Sequence, residues 1–208
     1  MSNPFHKTYL PVKNNNSFLK TISFISYTDG LKGVIRKNGL HDSSRPENTA
    51  EHSWHAAFSA LLLSQYANQP VDIDEVIKML LIHDLIEIEA GDTFVYDEHQ
   101  VSNQDQAEAQ AAELVFGRLP EDQEEQLRTL WDEFEARETP EAKFAKAIDR
   151  FLPLYSNIIN KGYSWHPYNV TQTQVREITS IIQDGSTKLW DLVEEMLDHA
   201  VYQGYLNQ

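Results

Sequence analysis

Residues 80–92 read Leu80-Leu81-Ile82-His83-Asp84-Leu85-Ile86-Glu87-Ile88-Glu89-Ala90-Gly91-Asp92, which sets a histidine and several acids inside one of the most hydrophobic runs of the chain. At about 100° per residue, a helix through this run brings His83, Asp84 and Glu87 into one arc of roughly 100°, with Val76 and Leu80 directly behind them. Leu81, Ile82, Leu85 and Ile86 cover much of the remaining circumference. A helix that is apolar nearly all round is a buried one, so the spacing predicts a helix that crosses the middle of a domain. Taking an ionised carboxylate into such an interior costs roughly several kcal/mol unless a cation or hydrogen-bond donors meet it. A bound metal ion answers that cost. A buried polar network, in which His83 and Asp84 cross-link neighbouring helices, answers it too, and the dipeptide alone leaves both open.

The 208 residues suit one domain with a sizeable core. With 17 basic and 32 acidic side chains the net charge is -15, so long-range repulsion disfavours a nucleic-acid polymer or an anionic membrane as partner. A phosphate-bearing substrate must then be small and locally neutralised. The chain has no cysteine, which excludes disulfides and thiolate metal sites and restricts metal ligands to histidine and carboxylate. The first 16 residues lack an apolar signal core, and no run approaches the roughly 18 apolar residues of a membrane span. The expectation is a cytoplasmic protein.

Residues 1–16 are polar, end in Asn14-Asn15-Asn16 and are expected to form a loosely held arm, with the domain proper over 17–208. Phe18, Leu19, Ile22, Phe24 and Ile25 give an apolar helical segment over 17–31. The polar connection 32–48 follows, with Arg36, His41, Arg45 and Pro46, and shows no strand pair. Asn48-Thr49-Ala50-Glu51 has capping-box spacing and opens a helix to about residue 67, with His52 just inside its start and an apolar face of Trp54, Ala57, Phe58, Leu61 and Leu62. His55, about 60° around from His52, is open to a metal-binding, a packed or a surface role. Asn68-Gln69-Pro70 breaks the chain. Asp72 or Asp74 can cap the central helix, which continues to about residue 90 and ends at Gly91, leaving Asp92 and Thr93 in the loop beyond.

Helical patterns recur over 103–117 and 120–137, the second very acidic with a stripe of Leu127, Leu130, Trp131 and Phe134. Thr139-Pro140 reads as a cap followed by the first helical residue of a helix with Phe144, Ile148, Leu152, Tyr155 and Ile159 inward, Asp149 beside that stripe and a kink at Pro153. After an aromatic loop over 162–169 come helical pieces at 173–182 and 187–203. The stripe Leu189, Val193, Met196, Leu197 and Ala200 in the last suits a core or a dimer surface. Seven or eight helices without repeats predict one all-α domain.

His52, the His83-Asp84 pair and Asp149 thus sit on three separate helices. Two imidazoles and two carboxylates make a ligand set for a divalent cation of the manganese, magnesium, iron, cobalt or zinc kind. Glu87, one turn beyond His83, is placed to orient or deprotonate a water, and hydrolysis of a phosphate ester is the chemistry that this equipment suits. Arg36 and Arg45 are the candidate counter-charges for a phosphate.

Leu31-Lys32-Gly33-Val34-Ile35-Arg36, Arg45-Pro46-Glu47-Asn48-Thr49-Ala50-Glu51-His52, His83-Asp84-Leu85-Ile86-Glu87 with Gly91-Asp92, Leu119-Pro120-Glu121 and the run from Glu141 to Asp149 resemble the HD-domain metal-dependent phosphohydrolases, in particular their 5'-deoxynucleotidase branch. The resemblance covers roughly residues 17–160. It implies an HD-type helical bundle that hydrolyses nucleoside 5'-monophosphates to nucleoside and phosphate with one divalent ion, cobalt, manganese or another, as a homodimer. It further implies metal ligation by His52, His83, Asp84 and Asp149, a catalytic set of Glu87 and Asp92, a phosphate contact from Arg36, and sugar contacts from Asp92 and Thr93. Some members carry a tryptophan implicated in preferring deoxyribose after the phosphate arginine. Lys37 stands there in this chain, so the resemblance does not carry a preference for deoxyribose over, and the expected substrates are (deoxy)ribonucleoside 5'-monophosphates with the choice of sugar left open.

Other HD-type reactions, on a nucleoside triphosphate, a cyclic nucleotide or a phosphonate, are the enzymatic alternatives. Only four basic side chains lie between Lys32 and Arg45, which favours a monophosphate. A non-catalytic nucleotide-binding module on the same fold is the alternative of another class. It is expected to lack a metal ligand or a counterpart of Glu87, and neither is missing here.

Overall fold

The computed structural model describes residues 16–96 and 104–208; the expected arm over 1–16 lies outside the described residues except for Asn16. Asn16 caps the first helix, its side-chain oxygen accepting the N–H of Phe18 at 2.9 Å. The order is α1 (Ser17–Thr28), a 3₁₀ turn (Asp29–Gly33), β1 (Ile35–Gly39), β2 (Pro46–Asn48), α2 (Thr49–Leu63), α3 (Ile73–Ile82), α4 (Glu87–Ala90), α5 (Gln104–Phe116), α6 (Glu121–Ala136), α7 (Pro140–Ile159), α8 (Gln172–Thr179), α9 (Ile182–Gly185) and α10 (Thr187–Gln203). Eight of the described helices are of eight residues or more, in line with the all-α expectation, and none is long and apolar enough to cross a membrane.

The hub is α7, which packs against α2, α3, α6, α9, α10 and β1. Thr139 starts it by accepting the N–H of Ala142, with Pro140 in the first turn, and the helix runs on through Pro153. Phe144, Ile148 and Leu152 are buried as expected, whereas Ile159 near its end is 43% exposed. At α9, Gly185 is needed for close approach, because a Cβ there would lie 2.3 Å from the Lys143 carbonyl oxygen of α7. Leu189, Val193, Leu197 and Ala200 of α10 are buried, so that stripe is core. Asp72 caps α3 through the N–H of Asp74.

Three expectations are corrected. First, α2 does form behind its capping box, Asn48 and Glu51 each accepting the other's backbone N–H. Its buried face, however, is Thr49, His52, Ser53, Ala56, Ala57 and Ala60, while Trp54 (63%), Phe58, Leu61 and Leu62 are exposed. Small side chains let α2 approach α3 and α7 closely, which leaves the bulky ones on the outer side.

Second, the 32–48 connection contains an antiparallel ribbon, β1 with β2, pairing Ile35 with Asn48 and Gly39 with Pro46 across an irregular register. The segment Ile35-Arg36-Lys37-Asn38-Gly39 has few strand-forming residues, so nothing local announces it. It is held from outside: the Asn160 amide donates to the Gly39 carbonyl, and Asn38 accepts from Asn157 and Ser164. Strand alternation then turns Arg36 and Asn38 inward and Ile35 and Lys37 outward.

Third, the helix expected to reach residue 90 is interrupted at His83. The Leu80 carbonyl, the regular α-helical acceptor for the N–H of Asp84, takes the Nδ1–H of His83 at 2.9 Å. Beyond it the backbone bonds tighten to the i→i−3 kind: Leu85 to Ile82, Glu87 to Asp84, Ile88 to Leu85 and Glu89 to Ile86. In 3₁₀ geometry residues i and i+3 eclipse, so Asp84 and Glu87 stand one above the other. The short α4 ends at Gly91, whose φ of 79° suits a residue without Cβ.

Candidate functional site

The interruption in the 73–90 segment, the start of α2 and the middle of α7 meet at one buried point. His52 Nε2 lies 3.1 Å from Asp149 Oδ1, and His83 Nε2 lies 3.4 Å from the same oxygen and 3.2 Å from Asp84 Oδ1. Asp84 Oδ2 is 4.0 Å from His52 Nε2. One ligand atom each from His52, His83 and Asp149 fall within 4.8 Å of one another, and all three residues are buried. Sequence separation gave no hint of this meeting, since His52 and Asp149 are 97 residues apart.

The site tests well as a cation site. His83 Nδ1–H is committed to the Leu80 carbonyl, which turns the Nε2 lone pair inward, and Nε2 is buried without a hydrogen-bond partner despite two carboxylate oxygens within 3.4 Å. Burial works against a charge on His83, but Asp84 and Asp149 outweigh it and lift the imidazole to about 10. The carboxylates therefore demand a cation at Nε2, and a proton or a divalent ion supplies it. His52 is held down to about 4 by burial and by Arg36, so it stays neutral and able to ligate. Despite burial, both Asp84 and Asp149 are held below the usual carboxylate range, Asp84 chiefly by His83 and Asp149 by hydrogen bonds to the two histidines.

Around the donors lies a nest of acids with Arg36 at its centre. The Arg36 guanidinium bonds to Asp84 Oδ2 at 3.0 Å and is 3.4 Å from Glu47, 3.7 Å from Glu87 and 3.5 Å from Asp92. The Thr49 hydroxyl donates to Glu87 Oε2 at 2.7 Å. Burial, reinforced by Asp84, pushes Glu87 well above the ordinary carboxyl range; burial likewise raises Asp92, and Glu47 to about 7. Such shifts follow first from taking the carboxyls out of water, which the Arg36 guanidinium offsets only in part.

The expected residues His52, His83, Asp84, Glu87, Asp92, Asp149 and Arg36 are thus together, and Thr93 lines the same cleft. Two candidates are not. His55 stacks beside Trp54 and faces His41 outside the donor cluster, and Arg45 is half-exposed in a two-pronged pair with Glu51. Sequence reasoning missed Glu47, which lies 3.7 Å from His52 Nδ1, together with Thr49, Lys146 and Arg150. Glu47 and Thr49 flank the cap Asn48 and carry no local signal of a site. Lys146 stands at i−3 and Arg150 at i+1 from Asp149, spacings that read as helix-surface ion pairs.

The HD domain family model matches residues 28–190. Among solved structures, a predicted metal-dependent phosphohydrolase from Magnetospirillum magnetotacticum MS-1 is similar with a TM-score of 0.86 and 44% identity, over 92% of this chain and 99% of that one. The PH0347 protein of Pyrococcus horikoshii OT3 shares the fold, with a TM-score of 0.59 and 23% identity over 86% of this chain and 97% of that one. Human 5'-deoxynucleotidase HDDC2 is 28% identical over 130 residues, 62% of each chain, so the match spans less than two thirds of that protein's own length. The 5'-deoxynucleotidase hdd1 of Schizosaccharomyces pombe is 28% identical over 139 residues, 64% of this chain and 68% of that one.

Proposed function

This chain belongs to the HD-domain family of metal-dependent phosphohydrolases, and on that premise we propose that it hydrolyses (deoxy)ribonucleoside 5'-monophosphates to nucleoside and phosphate. The observation that carries the reading is the unpartnered Nε2 of His83, buried among His52, Asp84 and Asp149 in a cleft that Glu87 also lines. The likeness to two 5'-deoxynucleotidases supports the choice of a nucleoside monophosphate among phosphate esters.

In this reading His52, His83, Asp84 and Asp149 hold one divalent ion. Such an ion makes an adjacent water more acidic, polarises a phosphoryl oxygen and draws nearby carboxyls toward their ionised form. Glu87 orients the attacking water and takes its proton, with Thr49 fixing Oε2 so that Oε1 remains for the transfer. Arg36 keeps Asp84 and Glu87 in register from the inward face of β1 and presents a donor to the phosphate. Asp92 and Thr93, in the loop after Gly91, contact the sugar, with Asp92 braced by Arg36 and the Lys37 N–H.

A phosphate-release screen tests this. Protein supplied with cobalt, manganese or magnesium is expected to release phosphate from ribo- and deoxyribonucleoside 5'-monophosphates in preference to the di- and triphosphates. Silence on every 5'-monophosphate sinks the reading, and preferential cleavage of triphosphates moves it to the alternative HD-type chemistry. The homodimer remains a proposal of the same kind, supported by the exposed Trp54, Phe58, Leu61 and Leu62 on α2. Light scattering is expected to return twice the chain mass, and a monomer at micromolar concentration refutes it.

A further inference from the structure

The candidate cleft collects positive charge that does not come from the phosphate-binding candidates of the 32–45 stretch: Lys146 and Arg150 line it from α7. They stand four residues apart on one helix face with Asp149 between them. Asp149 divides its two oxygens. Oδ1 faces the Nε2 atoms of His52 and His83, while Oδ2 faces Lys146 Nζ at 3.9 Å and Arg150 Nε at 3.8 Å. Those separations are too long for hydrogen bonds, so both cations approach the donor cluster without giving their protons to it.

Lys146 is costly where it stands. Its side chain is only 9% exposed, over the Phe134 ring at 4.3 Å, and one 3.4 Å bond to Glu135 uses one of its three donors. Arg36, by contrast, is faced by four carboxylates. A phosphomonoester dianion drawn to Arg36 alone would meet those acids too, so it needs further cations at the cleft. Arg137, the other basic residue at the cleft, is exposed, and its Nε donates to the Glu135 carbonyl.

We propose that Lys146 and Arg150 bind the phosphoryl oxygens of the substrate, completing from α7 a clamp whose other side is Arg36. The assignment rests on the reading of the site as a phosphomonoesterase, and it extends it by naming the side chains that neutralise the dianion. A structural ion pair is the competing explanation, in which Lys146 serves only to balance Glu135 and Asp149.

Manganese-loaded protein is titrated with inorganic phosphate by calorimetry, and KM and kcat are measured on a nucleoside 5'-monophosphate. Lys146→Met and Arg150→Met, which keep the apolar stems, are each expected to weaken phosphate binding by about tenfold or more and to raise KM by a similar factor, without weakening manganese binding. Lys146→Arg, which keeps the charge, is expected to recover most of the loss. Should burial make Lys146→Met fold poorly, Arg150→Met and Lys146→Arg carry the test, since Arg150 is 29% exposed. Unchanged phosphate affinity in the methionine variants, with a lowered melting temperature alone, overturns the proposal in favour of the ion pair. Failure of the loaded wild-type protein to bind phosphate overturns it as well. If phosphate binding depends on both residues and no nucleoside monophosphate is cleaved, the clamp stands and the nucleotidase reading falls.

Discussion

Glu87→Gln is expected to bind manganese as the wild-type protein does and to lose turnover on nucleoside 5'-monophosphates by about 10²-fold or more, the usual consequence of removing a proton-handling group. The substitution keeps the shape of the side chain and can still accept the Thr49 hydroxyl, 2.7 Å away in the native protein, so the packing at the start of α2 is preserved. It replaces a carboxylate that can take a proton with an amide that cannot. It also removes negative charge from a nest in which Arg36 already faces Asp84, Glu47 and Asp92, so stability is not expected to fall. Glu87→Ala should match it in turnover. Single-turnover kinetics with metal content measured on the same sample make the check, and activity within about threefold of wild type in either variant removes Glu87 from its assigned role.

His83→Ala is expected to abolish stoichiometric metal and, with it, all phosphate release. The clean readout is thermal. Metal that binds only the folded state stabilises it by about 2.7 kcal/mol at a hundred times its Kd, so the wild-type melting temperature should rise on adding manganese while that of the variant stays flat. The variant starts lower because the imidazole packs against Phe134, with ring centroids 5.0 Å apart, and bonds the Leu80 carbonyl; a cavity there costs roughly 1–3 kcal/mol. Comparing the manganese-induced shift, not the starting temperature, separates the two effects. A variant that gains the same shift as wild type would falsify ligation by His83, and a wild-type protein that gains none would return the site to a buried polar network.

The helix starts were legible because each is written within four residues. Asn48 to Glu51, Thr139-Pro140 and Asp72 satisfy orphan N–H groups through bonds that their own neighbours make, and all three act as caps in the folded chain. The same holds for Gly91, whose positive φ stops α4. Periodicity was a poorer guide to direction. On α2 the bulky stripe looked like the core side, yet the helix buries Ser53, Ala56, Ala57 and Ala60 beside Thr49 and His52, because which face is covered depends on what α3 and α7 bring against it. The ribbon of β1 and β2 was illegible for a similar reason: Asn157, Asn160 and Ser164, more than a hundred residues away, hold it.

In the site, residue types and their order offered His52, His83, Asp84, Asp149 and Glu87, because histidines and carboxylates placed on apolar helix faces must find a counter-charge, whereas Arg36 was set apart from Arg45 only by the resemblance to the HD-domain phosphohydrolases. The sequence by itself therefore determined the class of fold, the starts of the capped helices and, having no cysteine, a restriction of any metal donors to histidine and carboxylate. What only the tertiary structure decided was their convergence and their division of labour. The 3₁₀ tightening at His83 stacks Asp84 on Glu87, β1 turns Arg36 into a nest of four acids, and α7 adds Lys146 and Arg150 beside Asp149. Caps and periods are short-range properties of the backbone, whereas an electrostatic balance among groups up to 97 residues apart exists only once packing has brought them within a few ångströms and excluded water from between them.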